Sequence, residues 1–315
     1  MKYGIGISYD GVSARAGLFD ADGKLIARGS AVSEGTEGYA EASDKLASLA
    51  ESLCSRTGKR AETLGLCVLA AVDGAEDKIL RWDGDVRGFA GAPLARDLSK
   101  RLKMAVRVAG SANAAALAEA RFGAGKRFDS FLFLRLGESV GCGAVVGGEI
   151  FEGFGSGGTA AEHMTVEAGG IPCPCGRRGC LGQYVSGAAL VRDTKRAMFE
   201  QKNSALWRCA GNPESVTAKT AFEAAREGDP AAQKVVKNYV FYLAEGILNL
   251  VNLLHPQAIV LGGEIAQEGE YLLEPLRKYV GERLFIGCDK APLSVVRASL
   301  GDGDALLLGG FALAL

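Results

Sequence analysis

The residues best suited to do chemistry in this sequence are cysteines and a histidine that lie between His163 and Cys180. The cysteines follow the spacing C-x-C-x4-C at Cys173, Cys175 and Cys180, and His163 is one of only two histidines in the chain. Thiolate sulfur and imidazole nitrogen are the ligands that Zn²⁺ prefers, and a Cys3His set completes a tetrahedral shell. The spacing therefore predicts a structural zinc site, with no coordination position left open for catalysis.

The sequence around these ligands favours a loop that is shaped before metal binds. Gly176 and Gly179 allow tight turns, while Pro172 and Pro174 restrict the backbone. A disulfide with one spare thiol is the alternative. No signal peptide is expected, because the first residues lack a long apolar core, and the cytoplasmic location that this implies disfavours disulfides. Buried small hydrophobes are predicted at the other five cysteines, which are Cys54, Cys67, Cys142, Cys209 and Cys288.

Composition narrows the class of protein. The chain has 315 residues, of which 48% are hydrophobic, so a sizeable core can form. The net charge of -1 gives no electrostatic reason to expect a nucleic acid or membrane partner. No apolar run approaches the ~18 residues that a transmembrane helix requires.

The pattern of predicted elements indicates two related α/β halves. Short strands joined by turns occur near residue 3 and again near residue 130, and each set precedes helical segments and a buried strand. Residues 65–72 are predicted to form one buried strand, and residues 183–198 one helix. Ser111 is predicted to cap the helix ANAAALAEARF. We expect an N-terminal domain of residues 1–108 and 302–315, a C-terminal domain of residues 109–301 with the zinc loop 163–180, and a cleft between the domains.

Together these motifs resemble the ROK family of bacterial sugar kinases and repressors. The resemblance rests on the segment from His163 to Cys180, on SANAAALAEARFGAG at 111–125 and on NLVNLLHPQAIVLGGEI at 249–265. It implies a two-domain actin-like, hexokinase-like (ribonuclease H-like) α/β fold. It also implies binding of a sugar, ATP and Mg²⁺, and assembly into a homodimer or homotetramer.

The catalytic position departs from the family pattern. The family helix motif opens Asn-Asp-Ala-Asn, where the Asp is the general base and the last Asn holds the sugar; here Ser111 takes the place of the Asp, and Asn113 is retained. A serine hydroxyl titrates too high to act as a base at neutral pH, and loss of a positioned base costs about 10²–10⁴-fold in rate. The resemblance therefore predicts weak or absent catalysis at Ser111.

Both loops that resemble the family's phosphate loops have become acidic. In the first, the usual Asp-x-Gly-Gly-Thr reads Ser8-Tyr9-Asp10-Gly11-Val12. In the second, Gly-Thr-Gly-x-Gly reads GESVG, which retains Gly137 and Gly141 but introduces Glu138. Two like charges about 4 Å apart repel by roughly 1–4 kcal/mol at partly solvated sites. Binding of ATP and Mg²⁺ is therefore doubtful.

The sugar contacts are also reduced. The family's Gly-Glu-x-Gly-His is Thr-Ala-Ala-Glu-His here, so Ala160 replaces the sugar-binding glutamate, and Glu162 is not expected to substitute for it. His163 persists, and its second ring nitrogen is a candidate ligand contact. Gly262 and Gly263 persist at the turn that resembles the adenosine side, where they are either ligand contacts or turn glycines.

Three functions follow from these observations. The first is a ROK-like protein with impaired phosphoryl transfer that binds a sugar or sugar derivative as a sensor or regulatory subunit. The second is an active hexose or N-acetylhexosamine kinase with a rearranged site, in which Asp10, Asp83, Asp85 or Glu162 supplies the base. The third is a transcriptional regulator without its DNA-binding domain.

Overall fold

The computed structural model describes residues 2–32, 38–74, 76–82, 88–153, 159–285 and 292–315. Its twelve described strands are β1 Tyr3–Tyr9, β2 Ser13–Asp20, β3 Leu25–Val32, β4 Ala61–Val68, β5 Ala70–Asp73, β6 Lys78–Trp82, β7 Ala105–Gly110, β8 Phe131–Leu136, β9 Val140–Val146, β10 Glu149–Ile150, β11 Ala258–Gly262 and β12 Ser294–Arg297. Its ten described α-helices are α1 Tyr39–Thr57, α2 Leu94–Leu102, α3 Ser111–Phe122, α4 Gly182–Val185, α5 Gly187–Glu200, α6 Leu206–Ala210, α7 Thr220–Arg226, α8 Pro230–Leu254, α9 Glu270–Gly281 and α10 Asp302–Leu313.

The strands form two five-stranded sheets of matching order, β3-β2-β1-β4-β7 and β10-β9-β8-β11-β12. In the first sheet β1, β2 and β3 are antiparallel neighbours, whereas β1, β4 and β7 run parallel. In the second, β9 and β10 are antiparallel and β11 and β12 are parallel. The predicted repetition of an α/β pattern is confirmed.

Contacts divide the chain into two compact units. The first comprises residues 1–133, 143–159 and 299–315, and the second comprises residues 134–142 and 160–298. The division falls within β8 and β9. The predicted domain boundary near residue 108 and the predicted cleft stay predictions.

The first unit buries strands β1 and β4 almost completely. The strongly apolar helix α10 packs on both strands and on α3, so it has apolar neighbours on more than one side. Helix α1 packs on β2 and β3 through Leu46, Leu49 and Leu53. This packing holds the β1–β2 turn and the N-terminus of α3, where several candidate site residues lie.

In the second unit the long helix α8 is the main packing element. It contacts α4, α5, α7 and α9 and buries residues such as Leu243, Ile247 and Val251. One face of the segment is buried, as a core helix requires, whereas Phe241, Leu253 and Leu254 are exposed. Oligomerisation through residues 240–254 stays a prediction.

Several predicted boundaries are wrong. The apolar run at 65–72 is not one strand, because β4 ends at Val68 and β5 pairs with β6 in a separate hairpin. The helix predicted at 183–198 is interrupted at Ser186, whose hydroxyl accepts a hydrogen bond from the Ala189 N–H and caps α5. Local apolar content alone could not locate either break.

The cysteines outside the cluster follow the prediction only in part. Cys67 and Cys142 are buried, whereas Cys54 and Cys209 are only partly buried. Cys288 lies outside the described residues, as do Asp83 and Asp85. Within the described ranges, no helix has both the length and the apolar character needed to cross a membrane.

Candidate metal centre and ligand-site residues

The four predicted metal ligands come together in the second unit. The ligand atoms of His163, Cys173, Cys175 and Cys180 all lie within 4.8 Å of one another. The Cys173 Sγ is 3.5 Å from the His163 Nδ1, and the Cys175 Sγ is 3.6 Å from the Cys180 Sγ. These distances identify Nδ1 as the ring nitrogen that faces the sulfurs.

Backbone hydrogen bonds shape the loop that carries the cysteines. The Cys173 N–H donates to the Arg177 carbonyl at 2.9 Å, and the Gly179 N–H donates to the Ile171 carbonyl at 2.8 Å. Gly179 has φ 76°, and a Cβ there would lie 1.7 Å from the Glu167 carbonyl oxygen. The position therefore requires glycine for two independent reasons.

The Arg177 side chain forms hydrogen bonds with the segment that precedes the cysteines. Its guanidinium donates to the His163 carbonyl at 3.2 Å and to the Thr165 hydroxyl at 2.8 Å. Arg177 thus joins the segment that carries the histidine to the segment that carries the cysteines.

The arrangement of the four side chains fits a tetrahedral metal ion. Zn–S bonds of about 2.3 Å and Zn–N bonds of about 2.0 Å place two tetrahedral ligands roughly 3.5–3.8 Å apart. The 3.5 Å and 3.6 Å separations lie in this range. The donor types and these two separations therefore fit a tetrahedral metal site.

The thiols occupy contrasting electrostatic environments. A hydrogen bond from the Arg177 backbone lowers the pKa of Cys175. Burial, followed by the neighbouring sulfurs, raises the pKa of Cys180 to about 12. A divalent cation among the sulfurs would reverse this second effect, because it stabilises all three thiolates.

The second ring nitrogen of His163 faces an acid. The Glu162 Oε1 lies 3.9 Å from the His163 Nε2, which is longer than a hydrogen bond. Glu162 is one of the four carboxylates considered as a substitute base. Its carboxylate therefore lies near the ring nitrogen predicted to contact a ligand, but outside direct hydrogen-bond reach of that nitrogen.

Ser111 and Asn113 lie in the first turn of α3, in the first unit. Ser111 is the first helical residue, and Gly110 occupies the N-cap without a side-chain cap hydrogen bond. The prediction that Ser111 caps the helix is therefore wrong: β7 extends to Gly110, which takes the extended N-cap conformation. Asn113 is only 5% exposed.

The β1–β2 turn binds its own carboxylate. One oxygen of Asp10 accepts from the Val12 N–H at 2.9 Å and from the Ser13 N–H at 2.6 Å. The other oxygen accepts from the Ser13 hydroxyl at 2.7 Å. Partial burial raises the pKa of Asp10, but these hydrogen bonds outweigh burial, so its pKa is lowered overall. The carboxylate is therefore ionised at neutral pH and occupies the amide donors of the turn.

The β8–β9 turn lies in the second unit and contains Gly137, while Gly141 follows it. The Gly137 carbonyl accepts from the Gly187 N–H at 2.7 Å, and the Glu138 carbonyl accepts from the Ala188 N–H at 3.3 Å. The N-terminus of α5 is thus satisfied by this turn. The Glu138 side chain is exposed, while Gly141 is part of β9.

Gly262 and Gly263 follow the buried strand β11. Gly263 has φ 86°, and a Cβ there would lie 2.4 Å from the Leu136 carbonyl oxygen at the end of β8. Packing against β8 therefore requires glycine at 263, which supports the structural alternative for this residue. Gly262 is buried in β11.

Comparison with known proteins now decides the family. The sequence model described as the ROK family matches residues 4–315.

The chain belongs to the ROK family.

Its relatives within the family include kinases and repressors. A glucokinase of Thermotoga maritima is 32% identical over 280 residues, which cover 88% of this chain and 86% of the relative. A ROK glucokinase of Streptomyces griseus, solved in complex with glucose and AMPPNP, has 30% sequence identity and a TM-score of 0.81, with 99% of both chains covered. A xylose repressor of Caldicellulosiruptor bescii is 26% identical, over 62% of this chain and 48% of the repressor. The predicted hexokinase-like α/β fold is confirmed.

Sequence reasoning missed two residues that organise this ROK chain. Glu119 is fully buried, and its carboxylate accepts from the backbone N–H groups of Ala124, Ser299 and Leu300. Gln183 lies just after the last cysteine and approaches Cys173. The sequence does contain a signal for Glu119, because it is the only acid in a helix of mostly small apolar residues. Such a helix is expected to bury one face in the core.

Proposed function

We propose that this ROK protein binds a sugar or sugar derivative and is impaired in phosphoryl transfer. The observation that carries the proposal is the Asp10 carboxylate, which accepts hydrogen bonds from amide groups of the turn that resembles the first phosphate loop. Phosphoryl transfer depends on positioning and on neutralising phosphate charge. A fixed anion at these donors opposes both.

The side chains at the positions expected to perform the chemistry also support impaired phosphoryl transfer. Ser111 begins α3 where the family resemblance implies a general base, and its hydroxyl cannot replace a carboxylate at neutral pH. Ser8 is buried in β1 where the resemblance implies a carboxylate that helps to hold Mg²⁺. Asn113 is retained and is the candidate sugar contact on this helix, and in the second unit His163 is a further candidate.

The metal of the Cys3His cluster is, in this proposal, structural Zn²⁺. When bound, it would be held by His163, Cys173, Cys175 and Cys180, and it would supply a fixed loop shape rather than a reactive water. The proposed molecule is a cytoplasmic sensor or regulatory subunit that assembles as a homodimer or homotetramer.

An active kinase is the second candidate, and it is favoured by the identity of 30% or more to glucokinases. An assay with ATP and Mg²⁺ against hexoses and N-acetylhexosamines separates the two. We expect turnover at least about 100-fold below that of the Thermotoga maritima glucokinase measured as a positive control. Turnover near ~10 s⁻¹, typical of enzymes, would establish the kinase instead.

Binding is tested on the same panel by thermal shift, because a ligand specific for the folded state raises the melting temperature. We expect a sugar or sugar derivative to raise it and AMPPNP with Mg²⁺ to leave it unchanged. A panel that produces no shift with any sugar, but a clear shift with the nucleotide, would contradict the proposal.

A further inference from the structure

The metal centre concentrates negative charge on three sulfurs, of which those of Cys173 and Cys180 are buried and that of Cys175 is partly buried. Three thiolates, a neutral imidazole and a divalent cation sum to a charge of -1. Cys173 and Cys180 are 8% and 0% exposed, so water has little access to their sulfurs. Buried charge of this kind requires nearby hydrogen-bond donors.

One such donor comes from the side chain of Gln183. Its Nε2 lies 3.8 Å from the Cys173 Sγ, a separation suited to an N–H···S hydrogen bond. The opposite orientation of the amide would place a carbonyl oxygen against the sulfur, and two acceptors would then repel each other. The amide therefore presents its N–H to the thiolate.

The backbone of Gln183 is held in position from both sides. Its N–H donates to the carbonyl of the last ligand, Cys180, at 2.9 Å. Its own carbonyl accepts from the Arg192 Nη1 at 2.9 Å, and the same guanidinium donates twice to Asp193. Because this backbone is fixed, the side chain loses little further freedom when it reaches Cys173.

We propose that Gln183 is a positioning and tuning residue of the metal centre, whose amide stabilises the Cys173 thiolate and slows release of the metal. The inference rests on the metal centre proposed above. Beyond the four ligands, it assigns a role to a neighbouring residue, Gln183, whose backbone is hydrogen-bonded to Cys180 and Arg192.

The test uses the full-length, zinc-loaded chain and the variants Gln183→Leu, Gln183→Met and Gln183→Glu. Loss of a contact to a metal ligand typically weakens metal affinity by 10–100-fold. We expect zinc transfer to a competing chelator to be about 10-fold faster for Gln183→Leu and Gln183→Met. Gln183→Glu should be faster still, because a carboxylate repels the thiolate.

A second readout separates tuning from packing. In the cobalt-substituted protein, removal of the amide should move the thiolate-to-cobalt charge-transfer band to longer wavelength, since the sulfur lone pairs lose a donor. Gln201→Leu, an exposed glutamine beyond α5, is the matched control and should match the wild type in both measurements.

The outcomes are distinct. Zinc loss within twofold of wild type in both apolar variants, or an unchanged cobalt band in both, overturns the role of Gln183 and leaves the metal centre standing. A wild-type chain that takes up neither zinc nor cobalt defeats the metal centre itself, and with it this inference.

Discussion

Asp10 shows how a single side chain decides what a turn can bind. Its two oxygens accept three hydrogen bonds within four residues of chain, two of them from backbone amides. Amide groups of this kind form anion-binding concavities when they are free. Here a covalently attached anion holds them at an effective concentration that a dissolved phosphate cannot readily match.

Replacing Asp10 by glycine should therefore restore affinity for a nucleotide. We expect Asp10→Gly to bind AMPPNP with Mg²⁺ at least about fivefold more tightly than the wild type, because roughly 1–4 kcal/mol of repulsion is removed. Isothermal titration calorimetry measures the change. Asp10→Asn is the control: it removes the charge but keeps an acceptor oxygen, so its affinity should be intermediate. Equal affinities in all three proteins would show that Asp10 does not block this turn.

Among the helices and strands, two carboxylates join helix ends to neighbouring segments. Glu119, near the C-terminus of α3, accepts backbone hydrogen bonds from the turn after α3 and from the segment that leads into α10. Asp229 caps α8 and also accepts from the Ala205 N–H and the Ser204 hydroxyl. Each therefore joins a helix to a neighbouring segment through backbone amides.

Glu119→Gln should destabilise the fold. A glutamine amide would place an N–H against backbone N–H donors that now bond a carboxylate oxygen. Each buried donor left without an acceptor costs about 1–3 kcal/mol. Chemical denaturation gives the free energy of unfolding. Glu41→Gln, on the exposed face of α1, is the control and should stay within about 0.5 kcal/mol of wild type. A Glu119→Gln variant as stable as this control would refute the anchoring role.

Asp229 should make stability depend on pH. Partial burial raises the pKa of Asp229, but hydrogen bonds from Ala232, Ala205 and Ser204 outweigh it, so the pKa is lowered overall. The ionised cap therefore stabilises the fold above the ordinary pKa of 3.8, and its contribution is lost as pH falls through the lowered value.

We expect Asp229→Ala to lose about 1 kcal/mol at pH 7, the usual effect of removing an N-cap, and less as the pH is lowered to about 3. Urea denaturation at both pH values measures the difference. Asp229→Asn, also a good cap, should keep most of the stability and lack this pH dependence. An Ala variant equally destabilised at both pH values would contradict the role of the ionised group.

Across the whole molecule, each compact unit combines a packed core with a different candidate functional loop. The first unit contains the start of α3 and the β1–β2 turn, in which the Asp10 carboxylate binds backbone amides of the turn. The second holds the Cys3His loop, which has short elements and few apolar side chains of its own. Loops of this type depend on cross-links more than on hydrophobic burial.

Removal of metal should therefore destabilise the protein. We expect a strong chelator to lower the melting temperature by at least about 5 °C and added Zn²⁺ to restore it, because metal binding contributes directly to folding. The disulfide alternative predicts the reverse pattern: a reductant would lower the melting temperature, and a chelator would have no effect. Differential scanning calorimetry with both reagents distinguishes them.

The amino-acid sequence alone predicted two related α/β halves and four candidate metal ligands, and its motifs resembled the ROK family. The two halves follow from strand patterns beside turn residues, and the candidate ligands follow from sulfur and nitrogen side chains within eighteen residues of one another. Such signals do not depend on how distant segments pack.

The roles of individual residues depend on the folded structure. It placed Ser111 inside α3 rather than at its cap, separated β4 from β5, and directed the Asp10 oxygens onto backbone amides. It also brought Gln183 to Cys173 and the Glu119 carboxylate to Leu300. These outcomes depend on side-chain direction and on contacts between distant segments, which residue type and spacing do not specify.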